Sequence, residues 1–220
     1  MPILGDRPRE WVDRLARLYT PVVADVLDRL GYREQCLRAD IRPLTAGLTL
    51  AGFARTVQTV PAAEIAPAEP YKGEMAAVDA LGHDDVMVVS RCDWSFWGEL
   101  LSTAARYRGC RGVVIDGYTR DTRAIKAMGF PVFCRGIHPA DSLGRIDVSE
   151  HDVPIRCGGV AVLSHDLILA DDDGVVVVPQ AIAEEALALA EEKVSGENLV
   201  RVKLAEGMSV TEAFRRYGVL

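Results

Sequence analysis

The residues best suited to chemistry lie at two junctions in the middle of the chain. In VVIDGYTRD, Asp116 ends an apolar run, Gly117 turns the chain, and Arg120 and Asp121 follow four and five residues after Asp116. A carboxylate and a guanidinium at a strand end suit a metal-assisted site for a keto acid. The Asp holds a hard cation, and the Arg forks a carboxylate or enolate oxygen. The same residues also read as an N-capping Asp beside a surface Arg. In DWSFWGELLSTAARYRG, a strand ending near Ser90 gives way to a loop, and Gly98-Glu99-Leu100-Leu101 opens a helix. Glycine there lets a ligand approach the backbone, and the unpaired N–H groups of a first helical turn attract a carboxylate or phosphate. The alternative is a plain helix cap, with Glu99 complementing the dipole.

These junctions need strands and helices to hold them. DDVMVVS (84–90), GVVID (112–116) and PVFC (131–134) are short apolar runs separated by segments of helical character, which predicts a buried, parallel βαβαβ segment. Ligands of such sheets bind beyond the carboxyl ends of the strands, where both junctions fall. Upstream, Asp6-Arg7-Pro8 and Thr20-Pro21 read as N-caps with proline in the first turn, opening two helices, the second closed by Gly31. The segment 44–60, rich in Thr, Val and Gly, reads as strand, turn, strand, followed by a loop from Pro61 to Tyr71. Beyond Cys134 the runs GGVAVL, LILA and GVVVVP predict further strands. A long helix from about Gln180 to Ala205, interrupted by Gly196, and a short one opened by the capping box Ser209-Val-Thr-Glu212 finish the chain.

Other candidates weaken on inspection. The four histidines, His83, His138, His151 and His165, show neither HxH nor HExxH spacing. Asp171-Asp172-Asp173 precedes Gly174 and a valine run, the signature of a turn. Trp94, Phe96 and Trp97 read as core packing or as a lid. There is no GxSxG, GxGxxG or GxxxxGK[ST], which removes the usual warrants for a serine hydrolase, a dinucleotide enzyme or a P-loop NTPase. Five cysteines without a CxxC pair fit a reducing, cytoplasmic setting. No stretch reaches the roughly 18 apolar residues of a membrane span.

Taken together, GELLSTA, RGVVIDGYTRD, GFPVFCRG and ADDDGVVVVP, in this order and at these spacings, resemble the RraA-like family. That family includes the 4-hydroxy-4-methyl-2-oxoglutarate/4-carboxy-4-hydroxy-2-oxoadipate aldolases. The likeness runs from roughly Pro21 to the C-terminus. It implies an α/β chain folded as one swivelling β/β/α domain over 1–220, with N-terminal helices at 7–31 and a C-terminal helical arm at 180–220. It also implies a homotrimer or homohexamer with active sites between subunits. By the resemblance, Asp121 ligates Mg²⁺ or Mn²⁺ directly or through water, and Arg120 binds the pyruvyl carboxylate and stabilises the enolate. The backbone N–H groups after Glu99, around Leu100 and Leu101, take the substrate carboxylate, while Asp116 supports the site from behind. A carboxylate from a neighbouring subunit's C-terminal helix is matched by Glu197, followed by Arg201, Leu204 and Gly207. Independently, Val194, Val200 and Leu204 form an apolar stripe at helical spacing, with Glu197 between them, and that stripe suits an intersubunit seam. One departure is Ser164-His165-Asp166, where many relatives carry Pro-Gly-Asp.

The expected activity is therefore a metal-dependent lyase that cleaves a C–C bond next to a pyruvyl unit, by retro-aldol reaction or oxaloacetate decarboxylation. Loops such as Ala63 to Gly73 would build the pocket for the rest of the substrate. The rival reading is a non-catalytic, protein-binding regulator of ribonuclease E, a role the same family includes. A net charge of −7, from 25 Lys and Arg against 32 Asp and Glu, disfavours a nucleic-acid partner. It also requires that attraction for an anionic substrate be concentrated at Arg120, a helix N-terminus and a bound cation.

Overall fold

The computed structural model describes residues 7–218. Two helices come first, α1 (Arg9–Leu15) and α2 (Thr20–Arg29), then a two-residue strand β1 (Arg42–Pro43) and the long β2 (Leu50–Pro61). The central alternation follows as α3 (Lys72–Asp79), β3 (Asp85–Val89), β4 (Ser95–Trp97), α4 (Glu99–Tyr107), β5 (Gly112–Thr119), α5 (Thr122–Met128) and β6 (Val132–Ile137). Then come β7 (Ile146–His151), β8 (Ile155–Cys157), β9 (Val160–Val162), β10 (Leu167–Asp171) and β11 (Gly174–Val178). A 3₁₀ turn at Gln180–Ile182 leads into α6 (Ala183–Ala205) and α7 (Val210–Tyr217).

The main sheet runs β1-β6-β5-β3-β2-β10-β11, with β4 beside β5 and β7 beside β2. Pairings β2–β3, β3–β5 and β5–β6 are parallel, so the expected βαβαβ segment is present. Val86 to Val89 are wholly buried, which is why β3 reads as a continuous apolar run rather than an alternating one. The sheet curls until its edges nearly meet. The Arg42 guanidinium of β1 donates to the Asp172 and Asp173 carbonyls of the β10–β11 turn at 3.0 and 2.8 Å. The result is the mixed α/β, swivelling β/β/α arrangement, with a nearly closed sheet and C-terminal helices.

Strand alternation divides the core into three parts. Val88, Val114, Phe133 and Val177 fill the inside of the curl. Val89, Val113, Ile115 and Trp97 pack under α3, α4 and α5. On another side, Phe53 and Leu169 meet α1, α2 and the first half of α6. No described helix is long and apolar enough to cross a membrane.

Several local expectations change. Only the second half of segment 44–60 is a strand, beginning at Leu50. Asp6 lies outside the described residues. Thr20 is not the cap of α2 but its first residue. Its N–H and hydroxyl both donate to Asp171, at 2.8 and 2.6 Å, so a carboxylate from β10 caps the helix instead. Asp172 and Asp173 form the expected hairpin turn. Gly196 does not interrupt α6. A glycine inside a helix costs about 1 kcal/mol, less than the packing of its neighbours returns. Ser209 does cap α7, accepting the Glu212 N–H at 3.2 Å.

Candidate active site

At the carboxyl ends of β4 and β5, the N-terminus of α4 meets the loop that leads into α5. The backbone itself ties them together: the Arg120 N–H donates to the Trp97 carbonyl at 2.9 Å. Asp121 adopts φ +55°, the left-handed region that Asp tolerates better than most residues. This turns its carboxylate towards α4, where Oδ2 accepts the Glu99 N–H at 3.2 Å. Gly98 makes the approach possible. A Cβ there would stand 2.6 Å from Asp121 Oδ2, so any other residue would push the carboxylate away.

A cavity of about 370 Å³ opens at this point, lined by both junctions. Gly98, Leu100, Leu101, Arg120 and Asp121 all line it, which brings the two sequence junctions together. The N–H groups of Leu100 and Leu101 belong to the first turn of α4, ahead of the first helical bond from Ser102, and are open to an anion. Glu99 contributes backbone rather than side chain. Its carboxylate turns along its own helix to accept the Thr103 hydroxyl at 2.8 Å.

Further residues complete the lining, among them Asp141 and Glu74, which sequence reasoning missed, and Tyr71 from the 63–73 loop expected to shape the pocket. Asp141 lies 3.3 Å from the Arg120 Nη2, while Asp121 Oδ2 is 3.8 Å from its Nε. Tyr71 donates its hydroxyl to Asp141. Burial pushes the Asp141 carboxyl up, but the Tyr71 hydroxyl, the Ser142 N–H and Arg120 together hold it below the usual carboxylate range. Glu74, buried on α3, accepts the Ser142 hydroxyl at 2.9 Å, and its burial pushes its carboxyl up to about 7. Phe96 and Trp97 form the apolar wall; Trp97 is anchored by a stack on Phe130 and an indole N–H bond to Ser102 at 2.7 Å. The aromatic trio thus divides, for Trp94 is partly exposed and lies edge-on to His138.

Asp116 is placed elsewhere. β5 does not end there but continues to Thr119, and alternation puts Asp116 on the same face as Val114, inside the curl. Its carboxylate accepts Arg38 Nη2 at 2.6 Å and the Gly158 N–H at 3.0 Å, with Arg135 Nε at 3.8 Å. It does not line the cavity. Glu197 is also apart within one chain. On α6 it accepts the Tyr19 hydroxyl and lies 3.5 Å from Lys193 Nζ. Val200 is buried and Val194 packs with the α1, α2 and α6 cluster, so the stripe is committed at least in part to its own chain. Leu199 and Val202 are the large apolar side chains that this helix exposes among the described residues.

Among the described residues, no group of three or more His, Cys, Asp and Glu side chains is arranged to hold a metal. Asp121, nearly half exposed, offers one carboxylate. That suits Mg²⁺, which keeps several waters and binds through one or two carboxylates together with substrate oxygens, rather than a metal needing a closed protein cage. Ser164-His165-Asp166 keeps a tight turn despite the substitution at its centre. His165 takes φ +78°, and Asp166 accepts the Leu163 and Gln180 N–H groups at 2.9 and 3.0 Å.

A nearly closed α/β sheet with an arginine and two carboxylates beyond its strand ends defines the structural class. Comparison with known proteins names it. Residues 20–177 match the family model described as RraA-like, Aldolase/RraA, and the chain belongs to this family. A Halalkalibacterium halodurans protein named "Putative 4-hydroxy-4-methyl-2-oxoglutarate aldolase" is 31% identical over 209 residues, 93% of each chain. Among solved structures, Streptomyces coelicolor RraAS2, described as an unusual member of the RNase ES inhibitor RraA protein family, is 30% identical. It superposes with a TM-score of 0.82 over 90% of this chain and 100% of its own. An uncharacterized protein from Pseudomonas syringae pv. tomato is 27% identical, with a TM-score of 0.83 over 95% and 98% of the two chains.

Proposed function

We propose that the chain is a lyase that cleaves the C–C bond next to a pyruvyl unit, by retro-aldol reaction of a 4-hydroxy-2-oxo acid, by decarboxylation of oxaloacetate, or by both. Both reactions pass through the pyruvate enolate, so one site serves them. The observation that carries this reading is the cavity in which Arg120, Asp121 and the open N–H groups of Leu100 and Leu101 converge. The relative named as an aldolase, similar over nearly the whole chain, supports it.

In this mechanism the first-turn N–H groups of α4 hold the substrate carboxylate, and Arg120 neutralises the charge that develops on the enolate oxygen. Phe96 and Trp97 keep water from the reacting bond. Asp121 would hold Mg²⁺ or Mn²⁺, and the bound cation would supply Lewis-acid polarisation of the keto group. Among the described residues no lysine lines this cavity, which favours this route over a Schiff base. A second cavity of about 620 Å³, lined by Ala63, Glu64, Glu69 and Lys72 and reaching Tyr71 and Phe96, accommodates the rest of the substrate. Asp116 acts as a structural ion pair rather than at the reacting atoms. Glu197 reaches a neighbouring subunit's site only in a trimer or hexamer, for which the exposed Leu199 and Val202 on the same helix provide apolar surface.

The test is pyruvate formation from oxaloacetate with Mg²⁺ or Mn²⁺ supplied, with and without EDTA. Turnover that EDTA abolishes is expected. No turnover with any divalent ion would transfer the assignment to the family's other role, binding and regulating a ribonuclease of the RNase E type.

A further inference from the structure

We propose that Glu74 is the group that takes the proton from the substrate's C4 hydroxyl and returns it to C3 of the enolate. This rests on the pyruvyl-lyase reading and adds to it the proton-transfer residue that the two sequence junctions do not supply.

Position is the first argument. Among the described residues Glu74 is the carboxylate that lines both cavities, the one holding Arg120 and Asp121 and the one bounded by 63–73. A substrate with its pyruvyl end at Arg120 and its remainder in the larger space must lay its C3–C4 bond across the passage between them, where Glu74 stands. Gly73 permits this placement, since a Cβ there would lie 2.6 Å from the Val148 carbonyl and force α3 away from β7.

Availability is the second. The other ionisable groups lining the Arg120 cavity are already engaged. Asp121 Oδ2 caps α4. Asp141 takes the Ser142 N–H at 2.8 Å and Arg120 on Oδ1, and the Tyr71 hydroxyl on Oδ2. Arg120 stays protonated throughout. Glu74 Oε2 accepts the Ser142 hydroxyl, which fixes the carboxyl, while Oε1 has no hydrogen-bond partner among the described residues.

The chemistry balances without a co-reactant. As a carboxylate, Glu74 takes the C4 hydroxyl proton, and the O–H electron pair becomes the C4 carbonyl π bond. The C3–C4 bond breaks, and its pair forms the C2–C3 double bond of the enolate as the keto π pair moves onto oxygen. The carboxyl then gives its proton to C3, yielding pyruvate and the starting carboxylate. Burial, which pushes this carboxyl up to about 7, suits it to both halves of the cycle. The groups facing it are Asp141, which raises it further, and Ser142 and Arg120, which lower it. Tyr71 precedes α3 and gives its hydroxyl to Asp141, Asp147 of β7 lines the neighbouring cavity, and Arg108 of α4 is paired with Asp79.

The experiment compares wild type, Glu74→Gln and Ser142→Ala on 4-hydroxy-4-methyl-2-oxoglutarate and on oxaloacetate, whose decarboxylation needs no proton taken from the substrate. Glu74→Gln is expected to lower aldol cleavage about 10²–10⁴-fold and decarboxylation far less. Wild-type aldol activity is expected to rise with pH through about 7, and Ser142→Ala to move that midpoint upward by removing a bond that favours the carboxylate. Aldol cleavage by Glu74→Gln at the wild-type rate, or a midpoint unmoved by Ser142→Ala, overturns the role of Glu74 alone. A wild type inactive on both substrates overturns the lyase reading and this inference with it.

Discussion

Replacing Arg120 by alanine separates a catalytic from a structural role for the guanidinium. In the resting site Arg120 faces Asp141 at 3.3 Å and Asp121 at 3.8 Å, and its side chain is 38% exposed. Pairs so open to solvent contribute about 1 kcal/mol or less. For a chain of this size that is a fall in Tm of about 2–4 °C. In the proposed reaction the transition state is different, because enolate charge develops where Arg120 is the only cation among the described residues lining the cavity. Loss of such a preorganised donor costs about 2.7–4 kcal/mol, or 10²–10³ in rate. Pyruvate release should be followed by a lactate dehydrogenase-coupled assay, with Tm measured on the same preparation. Arg120→Lys keeps the charge but not the planar fork, so partial recovery is expected. Arg120→Ala working at the wild-type rate, or losing activity only in step with unfolding, would refute the reasoning.

Three further outcomes follow from named contacts. Asp121→Asn should lose activity while keeping an oxygen for the Glu99 N–H, whereas Asp121→Ala should lose activity and, by thermal melt, about 0.5–2 kcal/mol of stability as well; equal Tm values for the two would remove the capping role. Asp116→Ala should cost about 1–3 kcal/mol in urea titration, because the buried Gly158 N–H loses its acceptor and Arg38 its nearest carboxylate; loss of turnover with unchanged stability would return Asp116 to the site. Glu74 is held near 7 in the folded chain against an ordinary value of 4.5, so the native state keeps a proton that the unfolded chain releases. Wild type therefore loses stability relative to Glu74→Gln as pH rises from about 4.5 through 7, by about 3 kcal/mol in all. Parallel stability curves for the two across that range would contradict the burial of this carboxyl.

The part of the site legible in the sequence is the part built locally. Gly98, Leu100 and Leu101 follow one strand and Arg120 and Asp121 follow another, and strand ends in a parallel sheet carry ligand sites wherever the helices lie. The parallel core was legible for a related reason: strands buried on both faces leave unbroken valine runs. Asp116 misleads because the strand's apolar run stops there although its hydrogen bonding continues to Thr119. A two-residue period then decides which face it takes, and that face is the inside of the curl. Glu74 and Asp141 leave no local signal. They are separated by 67 positions from one another, and their meeting through Ser142 depends on how α3 packs against β7. The cap of α2 is hidden in the same way, supplied by Asp171 across 151 positions rather than by a residue before the helix.

The net charge of −7 places a strict demand on this site. An anionic substrate approaches a chain that repels it, so its attraction must come from Arg120, the α4 N-terminus and the cation that Asp121 would hold. Removing the metal should weaken binding of substrate as well as its turnover.

Exchange of the pyruvate methyl protons with deuterium, followed by NMR in heavy water with Mg²⁺ supplied, probes the enolate itself without depending on which larger substrate the chain cleaves. Metal-dependent exchange that Arg120→Ala abolishes is the result predicted. A wild-type protein that leaves the methyl group unexchanged under the same conditions would contradict the account.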